Sequence, residues 1–236
     1  MKVAGDILAL YAISDLHLAS SGEKPMDIFG AKWLNHHEKI KENWVEIVNE
    51  NDTVLIAGDI SWSMKMEQGM EDLRFIDELP GKKVMVRGNH DYWWTSISKL
   101  NSLFDNMDFI QNNYFTYGEH AICGTRGWVL ENSSKFDAHD RKIFDRELIR
   151  LRLSLDAAVK DGYEKILCMI HYPPIFPNMQ ESELLKIFEE YKVEKVIYGH
   201  IHGYGLSNVY EGVKNGVEYI LTSCDYIDFK PIKIFN

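Results

Sequence analysis

Leu10-Tyr11-Ala12-Ile13-Ser14-Asp15-Leu16-His17 is an apolar run of strand length that breaks off into a carboxylate and an imidazole. The same grammar recurs four times. Thr53 to Ala57 runs into Gly58-Asp59, and Lys82 to Arg87 into Gly88-Asn89-His90-Asp91. Lys165 to Ile170 runs into His171, and Lys195 to Tyr198 into Gly199-His200-Ile201-His202. The runs are rich in Val, Ile and Leu and nearly unbroken, as strands covered on both faces should be. In α/β sheets, ligands bind just beyond the carboxyl ends of the strands. If the five strands lie side by side, their polar ends converge on one rim.

The rest of the chain supports that reading. The first strand is expected over Ile7 to Ser14. Helical spacing is read over Asn35 to Asn49, Met64 to Leu79, Asp137 to Lys160 and Ser182 to Tyr191. Asp108 to Gly124 breaks into short runs with turn residues and predicts antiparallel strands. The tail predicts strands over Ser207 to Glu211, Val217 to Ser223 and Ile232 to Phe235, with a turn at Lys214-Asn215-Gly216. The sum is a mixed α/β chain with parallel crossovers and added hairpins. No repeat, low-complexity tract or Pro/Gly/Ser linker divides its 236 residues, so a single domain over 1–236 is expected.

The residue types at the strand ends narrow the chemistry. Two Asp, one Asn and several His form an oxygen and nitrogen donor set without thiolate, which suits Mn, Fe, Zn, Co or Ni. Asp15 and His17, like His200 and His202, are spaced so that both members of a pair can face one side. Asp59 follows a glycine, which allows a tight turn. A carboxylate can bridge two ions, and a pair of ions is a clamp for in-line displacement at phosphorus. His36, His37, His120 and His139 lie outside these blocks and read as solvated or capping.

These five blocks resemble the calcineurin-like metallophosphoesterase superfamily, in its bacterial phosphohydrolase form: D-x-H, GD, GNH[DE], a lone His, then GHxH. The resemblance implies a four-layer αββα sandwich of two mixed sheets, with a dinuclear centre at one rim. Carried over, one ion would be held by Asp15, His17, Asp59 and His202. The other would be held by Asp59, Asn89, His171 and His200. Asn89 would also touch substrate, and His90 would face the leaving-group oxygen rather than ligate. The chain departs from two subfamilies at Trp62-Ser63. The Ser/Thr phosphatases carry Asp then Arg there, and purple acid phosphatases carry a ligating Tyr. Indole offers only an N–H donor. Trp62, Trp93 and Trp94 therefore either wall the pocket or simply pack near it.

The function expected is metal-dependent hydrolysis of phosphate mono- or diesters by a hydroxide bridging the two ions. Arg126, in Gly124-Thr125-Arg126-Gly127-Trp128, is the candidate for a further substrate contact. The alternatives are a non-catalytic metal-binding scaffold on the same fold, or a nuclease. A net charge of −10 and the absence of a dense basic run argue against duplex nucleic acid. A small-molecule phosphate ester or a nucleotide fits better, because two divalent ions make the site locally cationic. Oligomeric state is left open. Cys123, Cys168 and Cys224 form no CxxC and lie in or beside apolar runs, as reduced thiols of a cytoplasmic protein would. The N-terminal run lacks a signal-peptide cleavage site, and no apolar stretch approaches the roughly 18 residues of a membrane span.

Overall fold

The computed structural model describes residues 8–20, 26–179 and 181–235. Ile7 of the expected first strand, and the rest of the N-terminal run before it, lie outside the described residues. Eleven strands form two sheets among the described residues. The first sheet contains β1 (Leu10–Ile13), β2 (Thr53–Ile56), β3 (Lys82–Val86), β4 (Met107–Ile110) and β11 (Ile232–Phe235), in the order β11-β1-β2-β3-β4. The second contains β5 (Phe115–Tyr117), β6 (His120–Thr125), β7 (Lys165–Ile170), β8 (Lys195–Tyr198), β9 (Gly212–Lys214) and β10 (Val217–Leu221), in the order β5-β6-β7-β8-β10-β9. In each sheet four neighbouring strands run parallel. Antiparallel strands close one edge of the first sheet (β11) and both edges of the second (β5 and β9).

The layering follows from the two-residue period of a strand. Along β1, Leu10 and Ala12 point between the sheets, while Tyr11 and Ile13 point outward. Outside they meet Ile40 and Trp44 of α1 (His36–Ile47) and Leu73 and Ile76 of α2 (Met66–Asp77). Along β7, Leu167 and Met169 face the first sheet. Ile166, Cys168 and Ile170 face Leu151 and Leu155 of the long helix Ala138–Lys160 and Leu184 and Phe188 of the helix Glu183–Glu190. Three apolar seams thus separate four layers, and strands buried on both faces need apolar residues at every position. This is the expected αββα sandwich of two mixed sheets.

At the carboxyl ends of the strands the two sheets are stitched together. Ser14 N–H donates to Thr222 O at 2.7 Å, and Cys224 N–H donates to Ser14 O at 3.0 Å. The ends of β1 and β10 therefore meet at the rim where the polar blocks emerge.

Two local expectations are corrected. Met107–Ile110 pairs parallel to β3, so only β5 and β6 form the antiparallel hairpin expected over 108–124. Met107, Phe109 and Ile110 are buried, which is the signature of a crossover strand. The strand expected over Ser207 to Glu211 is not formed. A 3₁₀ segment, Gly203–Asn208, occupies part of it, and the partner of β10 is Gly212–Lys214, just before the Asn215-Gly216 turn. Short helical turns at Met26–Phe29, Ala31–Trp33 and Ile97–Leu100 have too few residues to show a period.

Candidate metal centre

Each strand ends abruptly because its last backbone groups bond to the neighbouring loop. Asp15 N–H donates to Gly58 O at 2.9 Å, and His17 N–H donates to Asp59 O at 3.0 Å. Asp15, His17, Asp59 and His200 all adopt positive φ, at 60°, 44°, 51° and 74°. Such conformations are uncommon outside glycine and cost roughly 1–3 kcal/mol each. Four at one rim aim four polar side chains inward against this backbone strain. The glycines make the approach possible. Gly58 itself has φ +91°, and a Cβ on Gly88 would stand 2.1 Å from both the Asp59 N and its Oδ1.

Two overlapping clusters result. In the first, His17 Nε2 and His202 Nε2 lie 3.1 Å apart, and His202 Nε2 lies 3.4 Å from Asp15 Oδ1. In the second, Asn89 Oδ1 lies 2.7 Å from His171 Nε2 and 2.8 Å from His200 Nδ1. Those two nitrogens are 3.2 Å from each other. Asp59 sits between the clusters, its Oδ1 3.4 Å from His171 Nε2 and its Oδ2 3.7 Å from His17 Nε2. His90 also reaches Asp59: its N–H donates to Oδ1 at 2.8 Å, and Nδ1 lies 2.7 Å from Oδ2. Asp15, His17 and His202, His17, Asp59 and His90, and Asp59, His171 and His200 are each close enough to share an ion.

The donor set passes a chemical test for metal. Burial pushes the His17 imidazole down to about 3, and burial together with His171 takes His200 down to about 4. Both rings are neutral and present lone pairs. Burial also works against charge on His202, but Asp15 and Asp225 outweigh it and raise that ring to about 10. Asp15 and Asp59 stay below the ordinary carboxyl range. Burial opposes this, but His202 outweighs it at Asp15, and His171 and His90 outweigh it at Asp59. Buried carboxylates with neutral imidazoles call for positive charge, and here a proton on His202 supplies part of it. Imidazole nitrogens facing each other at 3.1–3.2 Å, with carboxylate and amide oxygens between them, fit borderline divalent ions.

The structure also adds residues not singled out from the sequence. Asp225 Oδ1 lies 2.9 Å from His202 Nδ1, and its Oδ2 accepts Gly203 N–H at 3.1 Å. Ser223 Oγ donates to Asp15 Oδ2 at 2.8 Å. Both follow β10, and the Thr222-Ser223-Cys224-Asp225 ending obeys the same rule as the other five blocks, a strand that runs into a polar, ligand-type side chain. Asp91 is buried. It accepts Ile60 N–H, Ser61 N–H and the Trp93 indole through Oδ1 and Gly88 N–H through Oδ2, tying the loop after β2 to the loop after β3. Burial and Asp59 raise its carboxyl to about 6.

The tryptophans divide. Trp62 stacks on His17 with ring centroids 4.9 Å apart and lies 4.0 Å from the His90 ring, so it walls the site. Trp93 and Trp94 pack in the outer seam of the first sheet. Trp33, not anticipated, meets His202 edge-on at 5.5 Å. His36 is not solvated as expected. It is buried, with Nε2 3.1 Å from Leu16 O and 3.3 Å from His17 O, and it braces the loop after β1. His37 and His139 are exposed, and His120 opens β6 with Nε2 3.2 Å from Glu194. Arg126 reaches the buried Glu147 at 3.4 Å and lies 4.7 Å from the Trp128 ring, so a substrate contact would have to draw it off a carboxylate. Beside His200 and His202 opens a cleft of about 380 Å³, walled chiefly by aromatic and aliphatic side chains.

Comparison with known proteins agrees with this geometry. The chain belongs to the calcineurin-like phosphoesterase family, whose sequence model matches residues 8–204. It is 32% identical over 78 residues to the Gene 66 protein of Mycobacterium phage L5, a match spanning 33% of this chain and 37% of that protein. Three of the solved structures that share its fold show the likeness. They are TT1561 of Thermus thermophilus (TM-score 0.58, 12% identity, 97% of this chain and 98% of that one), the protein AQ665 from Aquifex aeolicus (0.53, 18%, 96% and 95%), and the phosphopantetheinyl hydrolase PptH from Mycobacterium tuberculosis (0.53, 13%, 96% and 95%).

Proposed function

We propose that the chain is a phosphohydrolase that works with two divalent ions on a small phosphate ester. The observation that carries this reading is the pair of overlapping His/Asp clusters with Asp59 between them. Asp15, His17, Asp59 and His202 would hold one ion, and Asp59, Asn89, His171 and His200 the other. Once bound, the ions would supply Lewis acidity, lowering the pKa of water and neutralising phosphate oxygens.

The chain's own groups do the rest. Asp59 and Asp91 fix the loops that carry Asn89 and His90. His90, 31% exposed beside Trp62, is the group placed to hand a proton to the departing oxygen. In the overall reaction a water oxygen bonds to phosphorus. The bond from phosphorus to the leaving oxygen breaks with its electron pair, that oxygen takes a proton, and the water gives one up to solvent. The acidic chain suits a small ester or nucleotide better than a duplex, and its three buried, unpaired cysteines suit a reducing compartment.

The test is metal loading. Protein stripped with chelator and reloaded singly with Mn, Fe, Zn, Co or Ni should bind close to two ions per chain. It should then hydrolyse aryl phosphate esters and lose that activity on renewed chelation. Asp59→Asn should bind fewer ions than the native chain. A loaded protein that keeps two ions in Asp59→Asn would show that Asp59 is not shared.

A further inference from the structure

We infer that the site is shaped for a phosphodiester whose retained organic group is apolar, and that the cleft beside His200 and His202 receives that group. The inference rests on the two-ion site and on the role of His90 proposed above.

The first observation is position. His200 and His202 belong both to the clusters and to the lining of the cleft, so a phosphate held by the clusters would lie next to it. His90, Asp59 and Trp62 do not line it. A group in the cleft therefore projects from phosphorus on a side other than the one His90 serves. An ester oxygen facing His90 leaves, and an ester group in the cleft stays. A monoester has only the group that leaves, so this cleft matters only when phosphorus carries a second ester.

The second observation is chemistry. Trp128, Leu130, Tyr172, Phe176 and Ile201 make most of the wall, and beyond the two histidines at the clusters Asn208 and the Tyr172 hydroxyl are its polar groups. Among the described residues, no carboxylate, ammonium or guanidinium lines it. Away from His200 and His202, which the ions would occupy, no carboxylate is there to pair with ribose hydroxyls and no cation to pair with a second phosphate. An uncharged aryl or alkyl group loses least on entering.

The third is that the wall is already formed. Trp128 Nε1 donates to Asp140 Oδ1 at 2.9 Å, and the Arg126 guanidinium covers one indole face at 4.7 Å. Tyr172 is wedged between Trp128, at 5.2 Å, and the His200 ring, at 4.3 Å. A wall fixed before binding loses little entropy when the group arrives. Hydrolysis then yields the retained monoester and the free alcohol, with the proton balance given above.

The test holds the leaving group constant. On Mn-loaded protein, kcat/KM is compared for diesters that all release 4-nitrophenolate but retain methyl, phenyl or 1-naphthyl. It should rise about ten- to a hundredfold from methyl to phenyl, the worth of burying a ring, and phenyl 4-nitrophenyl phosphate should exceed the monoester 4-nitrophenyl phosphate. Phe176→Ala should lower the phenyl-to-methyl ratio several-fold. Val129→Gln, at an exposed position on the cleft mouth, should do so while leaving the fold intact. Calorimetry gives a readout free of turnover: phenylphosphonate should bind at least tenfold more tightly than methylphosphonate, and Phe176→Ala should erase most of the difference. A flat diester series, a preferred monoester or equal phosphonate affinities would overturn the inference. Absence of hydrolysis of every ester, with the phosphonate contrast intact, would instead overturn the reaction proposed above, and the diester assignment with it.

Discussion

Asp225→Ala offers a measurement of how much the site depends on a group that binds no ion in the proposed ligand set. His202 Nε2 is the atom that faces His17 and Asp15, and its aim is set from the far side of the ring. There Asp225 Oδ1 lies 2.9 Å from Nδ1, and Oδ2 accepts the next backbone N–H at 3.1 Å. Truncation removes a hydrogen bond to a charged acceptor, worth about 1.5–3 kcal/mol. At 1.4 kcal/mol per tenfold that is roughly a ten- to hundredfold loss, the range usual for groups that orient a metal-bound histidine. The assay is Mn²⁺ affinity by competition with a fluorescent chelator, with circular dichroism to verify the fold. Asp225→Asn keeps an acceptor for Nδ1–H and should recover part of the loss, which a purely structural defect would not show. A folded Asp225→Ala protein with native Mn²⁺ affinity would refute the argument that this carboxylate orients His202.

The remaining predictions probe separate parts of the molecule. His90→Ala should keep its metals and lose roughly 10²–10⁴-fold in rate, more for alkyl than for nitrophenyl leaving groups, as comparison of the two esters would show; loss of an ion would instead make His90 a ligand. Gly88→Ala places a Cβ 2.1 Å from Asp59 and should lower both the melting temperature and the metal content, measured by calorimetry and elemental analysis. The three cysteines are buried, and burial pushes the Cys123 thiol up to about 12, with Cys168 and Cys224 raised likewise. Native protein should therefore resist a thiol reagent that titrates three groups after denaturation. Because unfolded thiols ionise near 9 while native ones stay protonated, the unfolded state binds fewer protons, so urea stability should fall as pH rises from about 9 to 11.

How much of this was legible follows from which residues carry a repeated signal. The five strand ends could be read because each pairs a doubly buried apolar run with a group that has no place in an apolar seam. Both halves of that signal are local. Asp225 carried the same signal, but it follows Thr222-Ser223-Cys224, whose small polar residues blurred the strand's end, and its partner is 23 residues upstream. His36 misled for a related reason. Its spacing belongs to a helix, and helix periodicity cannot tell an exposed imidazole from one whose nitrogens face the Leu16 and His17 carbonyls. The direction of β4 was hidden because four apolar-patterned residues suit either sense; only the length of chain between β3 and β4, with its helical turn at Ile97–Leu100, allows a parallel crossover. Local chemistry could thus be read from sequence where one strand supplies it. What escaped were contacts made between strand ends: Ser14 meets Ser223 across the two sheets, and Asp225, after β10, finds His202 after the neighbouring β8.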